Sequence, residues 1–315
     1  MARPKPELGV TVTLDELVRL QYQARGFAFL PRQPMHSALA GKHVSRLRGR
    51  GLNFEEIRAY VPGDDVRAMD WRVTARLRKP HIRVYNEERD RPGLMLVDQR
   101  KSMFFGSEAE MKSVTAAKAA ALGAWRVLSQ DDRVGAIVFN DDEIREVRPL
   151  RSRKAVMQIL REVVHFNQLL TAASTTGTVR LNDALNRACR LAKHDWLITV
   201  ISDFVDADED TQRLMTKLAA HNDVIVVYIH DKLEKELPTA GPLVIADDEG
   251  QLELDTNDAK LRASFAKDHK ERVDRARSFL LQRAVPVLPL DTSGNVALQI
   301  RTLLGHAHSK RKRPR

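Results

Sequence analysis

Five apolar runs, Leu94–Val97, Val134–Phe139, Trp196–Ile201, Val224–Ile229 and Val285–Leu290, recur along the chain with helical patterns between them. This alternation constrains the fold more than any other feature. A run without polar alternation predicts a strand buried on both faces. Strands of that kind separated by amphipathic helices predict an α/β architecture: a doubly wound, mostly parallel sheet covered on both sides. Asn140-Asp141-Asp142 turns the chain into Glu143–Val147, which predicts a sixth strand running antiparallel at one edge. Ser107 and Glu110 read as a capping box ahead of Met111, Val114, Ala117, Ala121, Leu122, Trp125 and Leu128 at helical spacing. Further helices are predicted over 155–164, 181–191 and 214–220. A long one is predicted over 259–283 behind the cap candidates Thr256 and Asn257, and a last one over 295–304 closed by Gly305.

The front of the chain reads differently. After a loose lead-in over residues 1–12, Thr13 and Glu16 make a capping box for a helix of about three turns that stops at Gly26. From Phe27 to Arg91 the chain is rich in Arg, Gly and Pro, with an extended candidate at His81–Tyr85 and a turn at Pro62-Gly63-Asp64. The expected organisation is a front segment, 1–92, packed on a main domain, 93–304, followed by a disordered basic tail, 305–315. The joint at Arg91-Pro92-Gly93 is too short for a flexible tether.

Hydrophobic residues make up 43% of the chain, enough for a sizeable core, and one cysteine, Cys189, rules out an intrachain disulfide or a cysteine-based zinc site. MARPKPELG has no apolar stretch behind it, and no apolar run reaches the roughly 18–20 residues of a membrane span. A cytoplasmic protein is expected. The net charge of +10 is concentrated at the ends: residues 1–92 hold 18 Lys/Arg against 11 Asp/Glu, and KRKRPR closes the chain. Such charge can serve nucleic acid, but no reader motif accompanies it, so specific nucleic-acid binding is not expected.

In an open parallel sheet, ligands bind beyond the carboxyl ends of the strands. Asp98 and Asp203 stand at two such ends, and Gln99, Arg100, Lys101 and Ser102 follow the first. Two carboxylates and a hydroxyl form a hard-oxygen set suited to Mg²⁺ or Mn²⁺. The plainer alternative is that both aspartates only cap loops or helix ends.

The segment GRGLNFEEIRAYVPGDDVRAMDWRVTARLRKPHIRVYNEERDRPGLMLVD, from Gly49 to Asp98, resembles the signature of the domain-of-unknown-function family 58. The resemblance extends from about Leu14 to Leu304. It implies a von Willebrand factor A-like domain and a working association with a MoxR-type AAA+ ATPase. It also implies a metal-ion adhesion site of the form D-x-S-x-S, with a Thr from a later loop and an Asp after the fourth strand. Asp98, Ser102 and Asp203 match three of these positions. Arg100 replaces the middle serine, and in the loop Thr175–Leu181 the Thr position falls on Val179, with Thr178 one residue away. A guanidinium cannot ligate a cation. The expectation is therefore a degenerate metal site in which Arg100 or Lys101 fills the ionic slot, with no bound cofactor. An intact divalent adhesion site is the alternative.

Within the signature, Arg58, Asp64, Asp65, Arg67, Asp70, Trp71 and Arg76 place alternating charges around one tryptophan. They read as an ion-pair lattice with Trp71 as a packing anchor, or alternatively as a docking surface. No H-E-x-x-H, G-x-S-x-G or G-x-x-x-x-G-K-[ST] motif is present, and the Asp141-Asp142 pair reads as a solvated turn. The expected function is a non-enzymatic adaptor working with a MoxR-type ATPase on an unknown client protein. A basic nucleic-acid-associated protein is the rival.

Overall fold

The computed structural model describes residues 9–24, 52–87, 91–235, 237, 239, 241–246, 251–264, 267 and 285–309. They fall into two compact units, one within 32–90 and one from the rest of the chain. The first helix, α1 (Leu14–Arg19), belongs to the larger unit, although the sequence reading grouped it with the front segment.

The smaller unit is a β-hairpin with a helix in its connection. Strand β1 (Leu52–Ala59) runs antiparallel to β2 (His81–Glu87), with a register shift between Phe54 and Glu56. Gly63, at φ +107°, makes the turn after β1, and Asp64 holds it by accepting from Val61 N at 2.8 Å and from both Arg58 Nη atoms at 2.8 Å. Helix α2 (Trp71–Leu77) is capped by Asp70, which accepts from Arg72 N and Val73 N and from Arg83 Nε at 2.7 Å. Asp65 caps a 3₁₀ turn at Val66–Ala68. The expected lattice is only partly formed. Arg83, not anticipated, pairs with Asp70, whereas Arg67 and Arg76 are exposed with no ion-pair partner among the described residues. Trp71 is 70% exposed and anchors nothing.

The larger unit is built on the six-stranded sheet. Its strands are β3 (Gly93–Asp98), β4 (Val134–Phe139), β5 (Ile144–Leu150), β6 (Leu197–Ser202), β7 (Asp223–His230) and β10 (Val287–Asp291), in the order β10-β7-β6-β3-β4-β5. All pairs are parallel except β4 with β5, as the Asn140-Asp141-Asp142 turn predicts. Strands β8 (Pro242–Ala246) and β9 (Gln251–Asp255) form a separate hairpin that the sequence pattern did not suggest.

Helix α3 (Lys112–Ser129) is buried over most of its circumference, which its alanines permit: small side chains let the sheet, α1 and α4 (Arg153–Leu169) all approach it. Its expected capping box does not form. Met111 is the N-cap and makes no side-chain cap bond, while Ser107 bonds elsewhere and Glu110 accepts from Thr115 Oγ1 at 2.7 Å. Helices α5 (Leu181–Leu191) and α6 (Glu209–Ala219) contribute to the second core, which contains the alternate side chains Leu94, Leu96, Ile137 and Phe139 of the sheet. The Thr13–Glu16 capping box is present, and Trp125 Nε1 donates to Leu17 O to tie α1 to α3. Gly26 and most of the predicted 259–283 helix lie outside the described residues; the part over 259–264 is helical. Thr256 is buried, and it is Asp258 that bonds Lys260 N there. The last helix, α7 (Val296–Ser309), runs through Gly305 without stopping. The basic residues 310–315 also lie outside the described residues, and no helix among those described is long and apolar enough to cross a membrane.

Candidate functional site

Strands β3 and β6 are parallel neighbours, with Val97 opposite Ile201, so Asp98 at the end of β3 and Asp203 just after β6 emerge at one edge of the sheet. Asp98 is fully buried, and Ser202 Oγ donates to its Oδ2 at 2.7 Å. Arg100 curls back onto it: the backbone N and Nε reach Oδ1 at 3.0 Å each, and Nη2 reaches Oδ2 at 2.8 Å. The far side of the same guanidinium grips Asp206 at 2.5 and 3.0 Å, and its plane lies over the Phe139 ring. One cation thus bridges two carboxylates from different loops in fork geometry.

Asp203 has a different cation. Lys112, the first residue of α3 and 1% exposed, places Nζ 2.8 Å from Asp203 Oδ2 and 2.6 Å from Glu234 Oε1. Ser102 Oγ is 3.4 Å from Asp203 Oδ1. The slot beside Asp203 is therefore filled by Lys112 rather than by Lys101, whose backbone N donates to Asp141 at 2.6 Å. A lysine at a helix N-terminus opposes the helix dipole. That mismatch was the one sequence-level sign that Lys112 required carboxylates nearby.

Two aspartates outside the motif positions, Asp141 and Asp206, hold the loops together. Asp141, taken as part of a solvated turn, is 7% exposed, and it receives Lys101 N and Gly177 N while its carbonyl receives Val179 N. A Cβ on Gly177 would lie 2.2 Å from Asp141 O, so this approach requires glycine. Asp206 also receives Leu181 N at the start of α5. Val179 packs on the second core, and Thr178 is exposed on the same loop. Phe204, at φ +55°, holds the left-handed turn that lets Asp203 and Asp206 face different cations.

The electrostatics follow from burial. Burial pushes the Asp98 carboxyl above its ordinary range against the pull of Arg100, and Asp203 adds to the push. Burial acts the same way on Asp203, but Lys112 and then Arg100 hold that carboxyl below its usual value. Burial opposes the charges of Arg100 and Lys112, yet their carboxylate partners keep both above their ordinary ranges.

Beside this crevice, Asp231 follows β7 and accepts from Ser107 N and Oγ, Thr292 Oγ1 and Leu233 N at 2.5–3.0 Å. Burial works against its charge, but these donors hold the carboxyl below its ordinary 3.8. A depressed carboxylate stabilises the fold above that value, and the contribution disappears as pH falls through the lower folded value. Asp231→Asn should therefore flatten the acid limb of a stability–pH profile measured by urea unfolding, with the largest difference from wild type above pH 3.8.

Among known proteins, the sequence profile of the "Protein of unknown function DUF58" family matches residues 56–275. Uncharacterized proteins of Mycobacterium bovis and Mycobacterium tuberculosis are 30% identical over 263 residues, covering 83% of this chain and 81% of theirs. The chain belongs to the DUF58 family. The fold of this DUF58 protein is α/β, a mostly parallel six-stranded sheet with one antiparallel pair. Similar solved structures include the conserved hypothetical protein BatB from Bacteroides thetaiotaomicron, at 18% identity and TM-score 0.40, covering 70% of this chain and 99% of that one. The SpRpn10 VWA domain matches at 12% and 0.38, covering 67% and 93%.

A divalent ion does not fit this DUF58 crevice as it is built. Asp98 and Asp206 are already bridged by a guanidinium that has no lone pair to offer, and Asp203 is taken by an ammonium. An added cation would face two fixed positive charges at contact range, where repulsion is about 4 kcal/mol at 4 Å for an effective dielectric near 20.

Proposed function

We propose that this protein is a non-enzymatic, cytoplasmic protein–protein interaction module whose adhesion-type crevice works without a metal, using Arg100 and Lys112 as permanent internal counter-ions. The observation that carries the reading is the pairing of all three crevice carboxylates with buried cations of the chain itself. A paired carboxylate serves poorly as a general base, and the Ser202 hydroxyl that bonds Asp98 is fully buried. What remains is a rigid polar edge, fixed by loops from three strands, of the kind that presents a surface to another protein. Family resemblance supplies the partner class: a MoxR-type AAA+ ATPase, with this chain acting as adaptor in the maturation or remodelling of a client complex.

The test is co-purification of the tagged full-length protein with the MoxR-type ATPase of the same genome, alongside an Asp203→Ala variant checked for folding by circular dichroism. Retention of the ATPase by the wild type, with or without chelator, and weaker retention by the variant are expected. Failure of the wild type to retain it, or retention only with added divalent metal, contradicts the proposal.

A further inference from the structure

We propose that the outward face of α2 is a docking surface for an acidic, apolar-bearing segment of a partner protein. The inference rests on the adaptor reading only in taking this chain to bind proteins; it assigns where on the hairpin unit one partner contact is made and with what chemistry.

Helical geometry sorts the seven residues of α2. Val73 and Thr74 are half-buried, and Thr74 Oγ1 accepts from His81 N at 3.0 Å, so that side faces the hairpin; Leu77, on the same arc at the end of the helix, is 50% exposed. Trp71, Ala75, Arg72 and Arg76 fall on the opposite arc, spanning about 140° at about 100° per residue. All four are exposed. This face has an apolar half, Trp71 and Ala75, and a cationic half, Arg72 and Arg76.

Neither half is explained by the folding of the unit. Trp71 is strongly exposed, and Val61 and Val66 nearby in sequence are more than half exposed as well. Arg72 and Arg76 are four residues apart on a helix, where like charges repel. Neither has an ion-pair partner among the described residues. Residues 71–80 contain Arg72, Arg76, Arg78 and Lys79 and no carboxylate. Of the carboxylates just before α2, Asp70 bonds the α2 backbone and Arg83, Asp65 accepts from the backbone N of Arg67, and Asp64 pairs with Arg58. Among the described residues no carboxylate pairs with the positive face, while the cap and the Arg83 pair hold α2 in place.

Exposed tryptophan and arginine on a preorganised element are the residue types that carry binding energy at protein interfaces. The charge calls for a partner rich in Asp and Glu, and the indole beside it calls for an apolar side chain. Single-stranded nucleic acid would be served by a row of stacking rings, and α2 carries one, Trp71. A membrane surface is engaged by helices with a much larger apolar face than seven residues provide.

The experiment uses the full-length protein and a labelled synthetic helical peptide with glutamate on one face and leucine on the other. A lysine-for-glutamate version, duplex DNA and phosphatidylglycerol vesicles serve as rival probes. The glutamate peptide is expected to bind and to shift Trp71 emission to shorter wavelength. Trp71→Ala and the double change Arg72→Glu, Arg76→Glu should each weaken binding by about tenfold or more, with unchanged circular dichroism. The charge-reversed protein should gain binding to the lysine peptide. Absence of peptide binding, equal binding by the variants, or preference for DNA or vesicles would overturn the inference. If the peptide arm succeeds while ATPase capture fails, it is the adaptor's assigned partner that is wrong.

Discussion

Replacing Lys112 by methionine should destabilise the fold by about 3–5 kcal/mol, because it removes one member of a buried ion pair and leaves the other charged without a partner. Lys112 opens α3 with its ammonium between Asp203 and Glu234, and Asp203 is equally inaccessible to water. Water cannot replace the lost ammonium at Asp203. Glu234, which is 24% exposed, can recover some hydration. The asymmetry gives the test its discrimination. Lys112→Met combined with Asp203→Asn should recover most of the loss, since a neutral amide no longer requires a counter-ion. Urea unfolding of the two single variants and the double variant measures the coupling. Additive losses would mean that the pair contributes nothing beyond its separate contacts.

Arg100→Ser should have an effect of similar size and a different remedy. The change restores the serine of D-x-S-x-S and removes the guanidinium that bridges Asp98 and Asp206. Two buried-edge carboxylates then face each other without a cation, at an expected cost of about 3–5 kcal/mol. The vacated position is lined by Asp98, with the Ser202 hydroxyl on it, and by Asp206, a hard-oxygen set, so Mg²⁺ or Mn²⁺ should restore part of the stability. An ion present at a hundred times its dissociation constant would return about 2.7 kcal/mol. Thermal unfolding of the variant with and without metal reads this directly. A variant as stable as wild type, or one indifferent to both ions, would show that Arg100 is not the counter-ion of the crevice.

Much of the sheet could be read from the sequence, because a strand buried on both faces has to be apolar at every position. The runs that became β3, β4, β6 and β7 satisfy that requirement, and the turn after Phe139 marked the antiparallel edge. Errors arose where a local signal had a distant partner. Ser107 looks like a helix cap, but its hydroxyl belongs to Asp231, 124 residues away. Gly305 looks like a stop, yet α7 continues to Ser309. Asp141 looks like a turn residue and is instead the buried acceptor that ties two loops together.

The crevice divides in the same way. Asp98, Ser102, Asp203 and the intruding Arg100 follow from motif spacing, because each stands at or just beyond a strand end. Lys112 and Asp206 do not. One lies in an alanine-rich helix and the other in a run of acidic residues, and only tertiary placement shows which charge each neutralises. In the hairpin unit, the alternation of Arg and Asp suggested pairs, but pairing depends on register. Asp70 points to Arg83 across the hairpin and leaves Arg76 to solvent.

Calorimetric titration of the wild-type protein with Mn²⁺ tests the internal counter-ions most directly. With Arg100 and Lys112 in place, the account predicts no saturable binding at millimolar metal. Stoichiometric binding that disappears with Asp98→Ala would contradict it.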